Sequence, residues 1–279
     1  MAEITPSEEL SRLLTEQQTD NLAKEVLAKA LEERPAAVAA NLEQVKIFIS
    51  RAIGMIQEFE KVALQKPLPR IHTDTDVIYI DSGPGPYDYD MLEEGKTDLA
   101  DKNYHKFPWS RKMDRARIRA AYTLANMITA KRIEEQTGFI KSTKELTPAD
   151  FEIYSPYLMY TSTDWQNSHI RHVHELLKNK GLFKIPDNKL VMYDEFTSAG
   201  GESKKIIHTE DQVEGFKFPP RPDGSPPRRV VIVSHPAHLM RMLHILANYP
   251  NSIPEGTIVQ LFPIPTPTGG VIDYAKSEL

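Results

Sequence analysis

Residues 228–243 read Arg228-Arg229-Val230-Val231-Ile232-Val233-Ser234-His235-Pro236-Ala237-His238-Leu239-Met240-Arg241-Met242-Leu243, and they combine an apolar run with a polar junction and a helical pattern. Four β-branched residues, Val230 to Val233, favour a strand that is covered on both faces, as in a parallel sheet. Ser234 fits a helix N-cap, and Pro236 fits the first turn of the helix that follows. We therefore predict a buried strand that turns sharply at Ser234 and His235 into a helix.

The composition is that of a globular protein large enough for one α/β domain with an appended segment. The chain has 279 residues, of which 40% are apolar and 26% are charged. No apolar run approaches the ~20 residues that span a bilayer, and the first residues are acidic, so we expect a cytoplasmic protein that stays out of the membrane. The absence of cysteine excludes disulfides, thiolate zinc sites and a cysteine nucleophile.

The charge balance argues against broad nucleic-acid binding, which needs a clustered basic face. The net charge is -5 at neutral pH. One basic run is an exception, and its members are Lys102, Lys106, Arg111, Lys112, Arg115, Arg117 and Arg119. We favour a solvated helix face for this run over a contact to phosphate, because charge runs usually serve solubility.

Two parts are predicted along the chain: a helical N-terminal segment over 1–70 and an α/β domain over 71–279. Apolar residues recur at helical spacing between residues 6 and 66, and Pro35 separates two helices. In the domain, alternating strands and helices predict a Rossmann-like parallel sheet with helices on both faces. The predicted strands cover 76–80, 157–160, 189–193, 230–233 and 257–262, and the predicted helices cover 114–136, 166–180 and 202–216.

Four predicted strands end in loops of small and polar residues. Because the carboxyl ends of parallel strands meet at one edge of a sheet, these loops are expected to form a shared ligand pocket. The sequence contains neither a Gly-x-Gly-x-x-Gly fingerprint nor a P-loop. The candidate ligand-binding residues are Ser82, Gly83 and Gly85, then Ser162 and Thr163, then Thr197 and Ser198, and finally Ser234, His235 and Arg241.

The chain resembles the bacterial DUF218 family over roughly residues 74 to 262. The strand Val231-Ile232-Val233-Ser234, followed by His238 and Arg241, looks like that family's strand ending in Thr or Ser with a His and an Arg three residues apart. Weaker similarity lies in Asp76-Val77-Ile78 with Gly83 and Gly85, in the Arg-rich helix ending at Ala120-Ala121-Tyr122-Thr123-Leu124, in Tyr160-Thr161-Ser162-Thr163 and in Glu195-Phe196-Thr197-Ser198. Ser162-Thr163-Asp164 departs from the family, which usually has Ser-Gly-Gly there. The resemblance implies a Rossmann-like fold and a phosphate-like or nucleotide-like ligand, with S-adenosylmethionine or a nucleotide as the cofactor candidates.

Three side chains are candidates for proton transfer. His238 lies one helical turn before Arg241, so an imidazole and a cation share one face near a helix start, which suits a phosphate or carboxylate. Asp81 and Glu195, each expected at a strand end, could act as general bases, although either carboxylate could equally cap a turn or a helix. His238 could also hydrogen-bond a neighbouring loop, with Arg241 in a surface ion pair.

Other polar residues are assigned structural roles. Asp164 fits an N-cap before Trp165. His169, His172 and His174 lack a companion carboxylate at ligand spacing, so we expect surface histidines and no metal site.

The leading hypothesis is a cytoplasmic protein that binds a small anionic ligand at the carboxyl edge of its sheet; in the enzymatic version of this hypothesis it is a hydrolase or transferase. The alternative is a non-catalytic scaffold whose N-terminal helices bind a protein partner.

Overall fold

A five-stranded parallel sheet is the main β structure of this α/β protein. The computed structural model describes residues 13–65, 71–81, 108–198, 200–266 and 275–276. Its strands are, in chain order, β1 (Thr75–Ile80), β2 (Tyr157–Thr161), β3 (Leu190–Tyr193), β4 (Glu195–Thr197), β5 (Ser203–Lys205), β6 (Arg229–Ser234) and β7 (Ile258–Pro263). Its helices are α1 (Glu16–Glu33), α2 (Pro35–Ala40), α3 (Leu42–Leu64), α4 (Pro108–Thr137), α5 (Pro148–Tyr154), α6 (Asp164–Asn179), α7 (Thr209–Glu214) and α8 (Pro236–Asn248).

Strand β1 lies in the middle of the sheet, whose order is β3-β2-β1-β6-β7. It pairs in parallel with β2 on one side and with β6 on the other, so that Tyr79 lies between Met159 and Ile232. Residues 77–80 are fully buried, as the β-branched and aromatic composition requires of a strand covered on both faces. The predicted α/β fold with a Rossmann-like parallel sheet is confirmed.

Two local predictions are wrong. The stretch 202–216, predicted as one helix, forms β5 and the short helix α7 instead. Residues 195–197, predicted as a loop at the sheet edge, form β4, which pairs antiparallel with β5 in a separate two-stranded sheet. Gly201 has a φ of +83° in the tight connection between β4 and β5, a conformation that glycine adopts readily. A tight hairpin therefore replaces the predicted helix start.

The chain divides into two compact units. The first unit combines Met1–Pro69 with Ser234–His244 and Pro263–Leu279, and the second combines Arg70–Val233 with Ile245–Phe262. In the first unit, α1, α2 and α3 pack on one another, with Pro35 in the first turn of α2 as expected for a helix start. Within the same unit the buried carboxylate of Glu60 accepts hydrogen bonds from the backbone N–H and hydroxyl of Thr266, at 3.0 and 2.8 Å.

In the second unit, hydrogen bonds from Arg132 join α4 to the chain at the amino ends of β1 and β2. Its guanidinium donates to three backbone carbonyls: Thr73 at 2.9 Å, Thr75 at 2.6 Å and Tyr154 at 2.8 Å. Burial lowers the pKa of Arg132, and the nearby carboxylate of Asp76 opposes that effect. One side chain thus satisfies carbonyls from two segments that are far apart in sequence.

Among the described helices, none combines the length and the apolar character that crossing a membrane requires.

Replacing Arg132 by Met should lower the free energy of unfolding by about 3 kcal/mol, because three carbonyls lose a charged donor. Urea unfolding followed by circular dichroism measures the change. The control is Lys131→Met, since Lys131 is half-exposed and its contact with Glu134 is an exposed helical pair, which changes stability by less than about 0.5 kcal/mol. Equal losses in the two variants would contradict the role given to Arg132.

Candidate functional site

The carboxyl end of β1 carries a buried carboxylate. Asp81 follows the strand directly, and its backbone N–H donates to the carbonyl of Val233 at 3.3 Å, which extends the pairing with β6. Both Asp81 and Arg117 have 0% exposure, and a guanidinium nitrogen of Arg117 donates to the Asp81 carbonyl at 3.2 Å. The order of the sheet reverses between β1 and β6, which is the position where open α/β sheets bind ligands.

Arg117 is a site residue that the sequence analysis missed. It belongs to the basic run 102–119, whose composition predicts a solvated helix face. Arg115 and Arg119 are indeed exposed, whereas Arg117 is buried on α4. A signal was present, because Arg117 stands four and seven residues before Ala121 and Leu124, two members of the apolar stripe. The helical periodicity placed it on the buried face.

The carboxyl end of β2 carries a second group of buried polar side chains. Ser162 donates its hydroxyl proton to the amide oxygen of Gln166, and Asn167 donates its amide to the carbonyl of Ser162 at 3.2 Å. All three residues are at least nine-tenths buried. The other amide atom of Asn167, Oδ1, is buried with no hydrogen-bond partner among the residues that the structure describes. A buried acceptor of this kind is costly unless another molecule supplies a donor.

Thr163, not Asp164, caps α6. The hydroxyl of Thr163 accepts from the backbone N–H of Gln166 at 3.4 Å, and Asp164 is the first helical residue. The prediction of Asp164 as the N-cap is therefore wrong by one position, and the Thr163 hydroxyl, predicted to bind ligand, is engaged by the helix. Asp164 keeps a favourable place in the first turn, where a negative charge complements the helix dipole.

Tyr79 and Thr161 continue this polar layer under the strand ends. Their hydroxyls lie 3.0 Å apart, and the Tyr79 hydroxyl also donates to Gln212 at 3.3 Å. Burial raises the pKa of Tyr79 well above its usual range, and the Asp81 carboxylate raises it further. The phenol therefore stays protonated and serves as a fixed hydrogen-bond group.

The structure does not place the third predicted loop in this layer. Glu195 and Thr197 lie on β4 with exposed side chains, opposite Lys205 and Ser203 of β5. Ser198 is half-buried, and its backbone N–H donates to the Glu202 carbonyl within the hairpin. Glu195 follows the last residue of β3 by two positions, as predicted, but it is the first residue of β4 and not part of a loop. The predicted residues Ser82, Gly83 and Gly85 lie outside the described residues.

The turn from β6 into α8 belongs to the first unit and differs from the prediction in its cap. Ser234 is the last residue of β6, and His235 occupies the cap position, since its carbonyl accepts from the Leu239 N–H at 2.9 Å. The backbone carbonyl of Ser234 accepts from Ile264 at 3.0 Å, whereas its hydroxyl is buried without a hydrogen-bond partner in the described part of the chain.

Both imidazoles of this segment are buried, and its cation is half-buried. His235 and His238 are 0% and 3% exposed, and Arg241 lies one turn further along α8. The shared face of His238 and Arg241 therefore follows from the helix, while their contact with an anion stays a prediction.

His174, which was expected on the surface, is buried. It is 4% exposed, and its ring lies 5.0 Å from Phe183 and 5.4 Å from Tyr122 between ring centroids. Burial lowers its pKa to about 4, so it is neutral at neutral pH. His172 is exposed, as predicted. Within the described residues, no three His, Asp or Glu side chains are grouped as metal ligands would be.

Comparison of the chain with protein-family models, with curated proteins and with solved structures finds no match. The resemblance to the DUF218 family therefore stays a prediction that rests on the quoted sequence motifs.

His174 should make the stability of the protein depend on pH. Its pKa is lowered from 6.5 to about 4 in the folded state, so its contribution is complete above about pH 6.5 and is lost as the pH falls toward 4. We expect this group to remove about 2 kcal/mol of unfolding free energy between about pH 7.5 and about pH 5.

Urea unfolding at both pH values tests the pH dependence assigned to His174. The variant His174→Phe should lack the part of the pH dependence that comes from this imidazole. The matched control is His172→Phe on the exposed side of the same helix, which should follow the wild type. Identical pH dependence in His174→Phe and the wild type would refute the assignment.

Proposed function

We propose that this protein binds a small anionic ligand of nucleotide-like, S-adenosylmethionine-like or phosphorylated chemistry at the carboxyl edge of its sheet, centred on the ends of β1 and β2. The observation that carries the proposal is the concentration of buried polar groups there. Asp81, Arg117, Ser162, Gln166 and Asn167 are all at least nine-tenths buried. Burying so many polar groups is unfavourable for folding alone, and such sites are typical of binding function.

The chemistry of these groups favours a ligand that has both an anionic part and hydrogen-bond donors. The buried guanidinium of Arg117 and the start of the 16-residue helix α6 supply positive potential. The Asp81 carboxylate and the Oδ1 atom of Asn167 are acceptors, which suit the hydroxyl and amino groups of a nucleoside. A bare phosphate has no donor for the Oδ1 atom of Asn167, which has no hydrogen-bond partner among the described residues, so the nucleotide-like class fits best.

An enzymatic version of the proposal assigns Asp81 as the general base for a hydrolase or transferase. Glu195, the other carboxylate predicted from the sequence, is exposed on β4. A general base needs a carboxylate held close to the bound substrate, which favours Asp81. His238 and Arg241, on α8 in the first unit, are assigned to the same function only through the sequence motif.

A thermal-shift series tests the ligand proposal. Purified wild-type protein is heated with AMP, ATP, S-adenosylmethionine and glucose 6-phosphate; a ligand at about 100 times its Kd adds about 2.7 kcal/mol to stability. We expect at least one compound to raise the melting temperature, and Asp81→Asn and Ser162→Ala to weaken its binding about tenfold, as the loss of one hydrogen bond to a charged group does.

The matched control is Ser198→Ala. Ser198 was also predicted to bind ligand, but it lies in the hairpin outside the buried layer, so its loss should leave the shift unchanged. Each variant is compared with its own ligand-free melting temperature, which separates binding from stability. Absence of a shift with every compound, or equal shifts in all variants, would contradict the proposal.

A second candidate function, a scaffold that binds a protein partner through its N-terminal helices, is favoured by one observation. Helix α3 exposes large apolar side chains: Ile47 is 52% exposed, and Phe48 and Met55 are also exposed. Ile47 and Met55 are eight residues apart and share a face of the helix. Exposed apolar groups on one face are typical of interaction surfaces.

Ile47→Lys should abolish capture of such a partner without unfolding the protein, because Ile47 is outside the core. Proximity labelling in cells, with the partner then purified and its affinity measured, provides the readout. Phe139→Lys, at an exposed apolar residue of the second unit, is the control. Unchanged affinity in Ile47→Lys would rule out this face.

A further inference from the structure

The second unit contains a cavity of about 370 Å³ at the amino edge of the sheet, opposite the proposed ligand site. It is bordered by residues that precede four strands: Asp74 before β1, Ser155 before β2, Lys189 before β3 and Arg228 before β6. The Pro-rich loop 219–222 closes another wall. The volume lies within the range of small-molecule pockets.

Most of the charges around this cavity are matched by an opposite charge. Arg228 contacts both carboxylate oxygens of Asp76, at 3.0 and 3.2 Å, and Arg229 contacts both oxygens of Asp74, at 2.9 and 3.2 Å. These two-pronged pairs are the strong form of ion pair. They are sufficient to explain how the start of β6 is held against the start of β1.

Arg221, from the Pro-rich loop, has weaker ion pairs. It lies 3.8 Å from Asp76, whose two oxygens already accept from Arg228, and 3.3 Å from Asp223. Asp223 is itself an acceptor for Ser225. The guanidinium of Arg221, which also donates to the Ser225 hydroxyl at 2.9 Å, thus borders the cavity without the two-pronged carboxylate contact that Arg228 and Arg229 make.

Lys189 is the cation that structural ion pairing does not explain. No salt bridge joins it to a carboxylate in the described part of the chain, and its ammonium lies 4.6 Å from the centroid of the Tyr157 ring. Burial lowers the pKa of Lys189, the charge of Arg132 lowers it further, and the carboxylate of Glu152 opposes both effects. Both effects are relieved when an anion comes to lie beside the ammonium.

We propose that this cavity is a second binding site, which takes a small hydroxylated anion and holds its carboxylate or phosphate between Lys189 and Arg221. The Tyr157 ring forms the apolar floor beneath the ammonium. Glu135 also borders the cavity and would repel a simple anion, so the ligand carries hydroxyl groups that donate to this carboxylate. Hydroxy acids and sugar phosphates share this chemistry. The site is independent of the one proposed at the carboxyl edge.

Isothermal titration calorimetry with malate and with glycerol 3-phosphate, at constant ionic strength in sodium chloride, tests the proposal. We expect saturable binding of at least one probe to the wild-type protein, and about tenfold weaker binding to Lys189→Gln. Lys189→Arg keeps the charge and should retain binding. Binding of malate alone identifies a carboxylate site, and binding of glycerol 3-phosphate alone identifies a phosphate site; either result supports the proposal.

Three further variants keep the test decisive. Arg221→Gln should weaken binding to a similar degree, and this variant tests the proposal if Lys189→Gln fails to fold. Lys205→Gln, at an exposed lysine of β5, should bind like the wild type. Asp81→Asn should also bind normally, which separates this site from the one at the other edge. No saturable heat with either probe, or equal affinity in Lys189→Gln and Lys205→Gln, would overturn the proposal.

Discussion

The parallel pairing of β1 with neighbours on both sides is the constraint on which the second unit depends. A strand hydrogen-bonded on both sides and covered on both faces must be apolar along its length, and residues 77–80 are. Parallel neighbours cannot be joined by hairpins, so every connection crosses over and returns to the same starting edge. The connections therefore leave from the carboxyl edge and arrive at the amino edge. Polar side chains next to the apolar strands therefore lie at these two edges, and the contacts that stabilise them differ between the two edges.

At the amino edge, charges face charges. Arg132 binds carbonyls, while Arg228 and Arg229 bind the carboxylates of Asp76 and Asp74 at the start of β1, so that each ion stabilises a specific junction. At the carboxyl edge, the buried groups are mostly neutral amides and hydroxyls that bond to one another, with Asp81 and Arg117 among them. The ion pairs at the amino edge can remain partly exposed, because water still solvates their charged groups in part. In this buried layer the Oδ1 atom of Asn167 has no hydrogen-bond partner among the described residues, which is why we place the principal ligand there.

The regular elements of the sheet could be predicted from the sequence, because continuous β-branched runs and helical periodicity are local signals. The strand-to-helix stretch 228–243 is an example, and its error is one residue, with His235 rather than Ser234 at the cap. The β4–β5 hairpin could not be predicted, since both strands have three residues and their side chains are largely exposed, so that neither shows an apolar pattern. Composition alone predicts exposed positions for Arg117 and His174, whereas both lie on buried faces of their helices. The cavity beside Lys189 could not be found at all, because it joins residues from 73 to 228 that only the folded chain brings together.

The discontinuous make-up of the first unit limits how the gene could be cut, fused or recombined. Its helices from Met1–Pro69 belong with Ser234–His244 and Pro263–Leu279, two pieces encoded more than 150 codons downstream. The buried Glu60 illustrates the dependence, since its partner Thr266 comes from the last of these pieces. A fragment that ends near residue 70 would lack Thr266, whose N–H and hydroxyl donate to the Glu60 carboxylate, and would leave that carboxylate exposed. Truncation is consequently a poor way to divide this protein, because neither a single break in the reading frame nor a circular permutation leaves all three pieces of the first unit in one continuous segment.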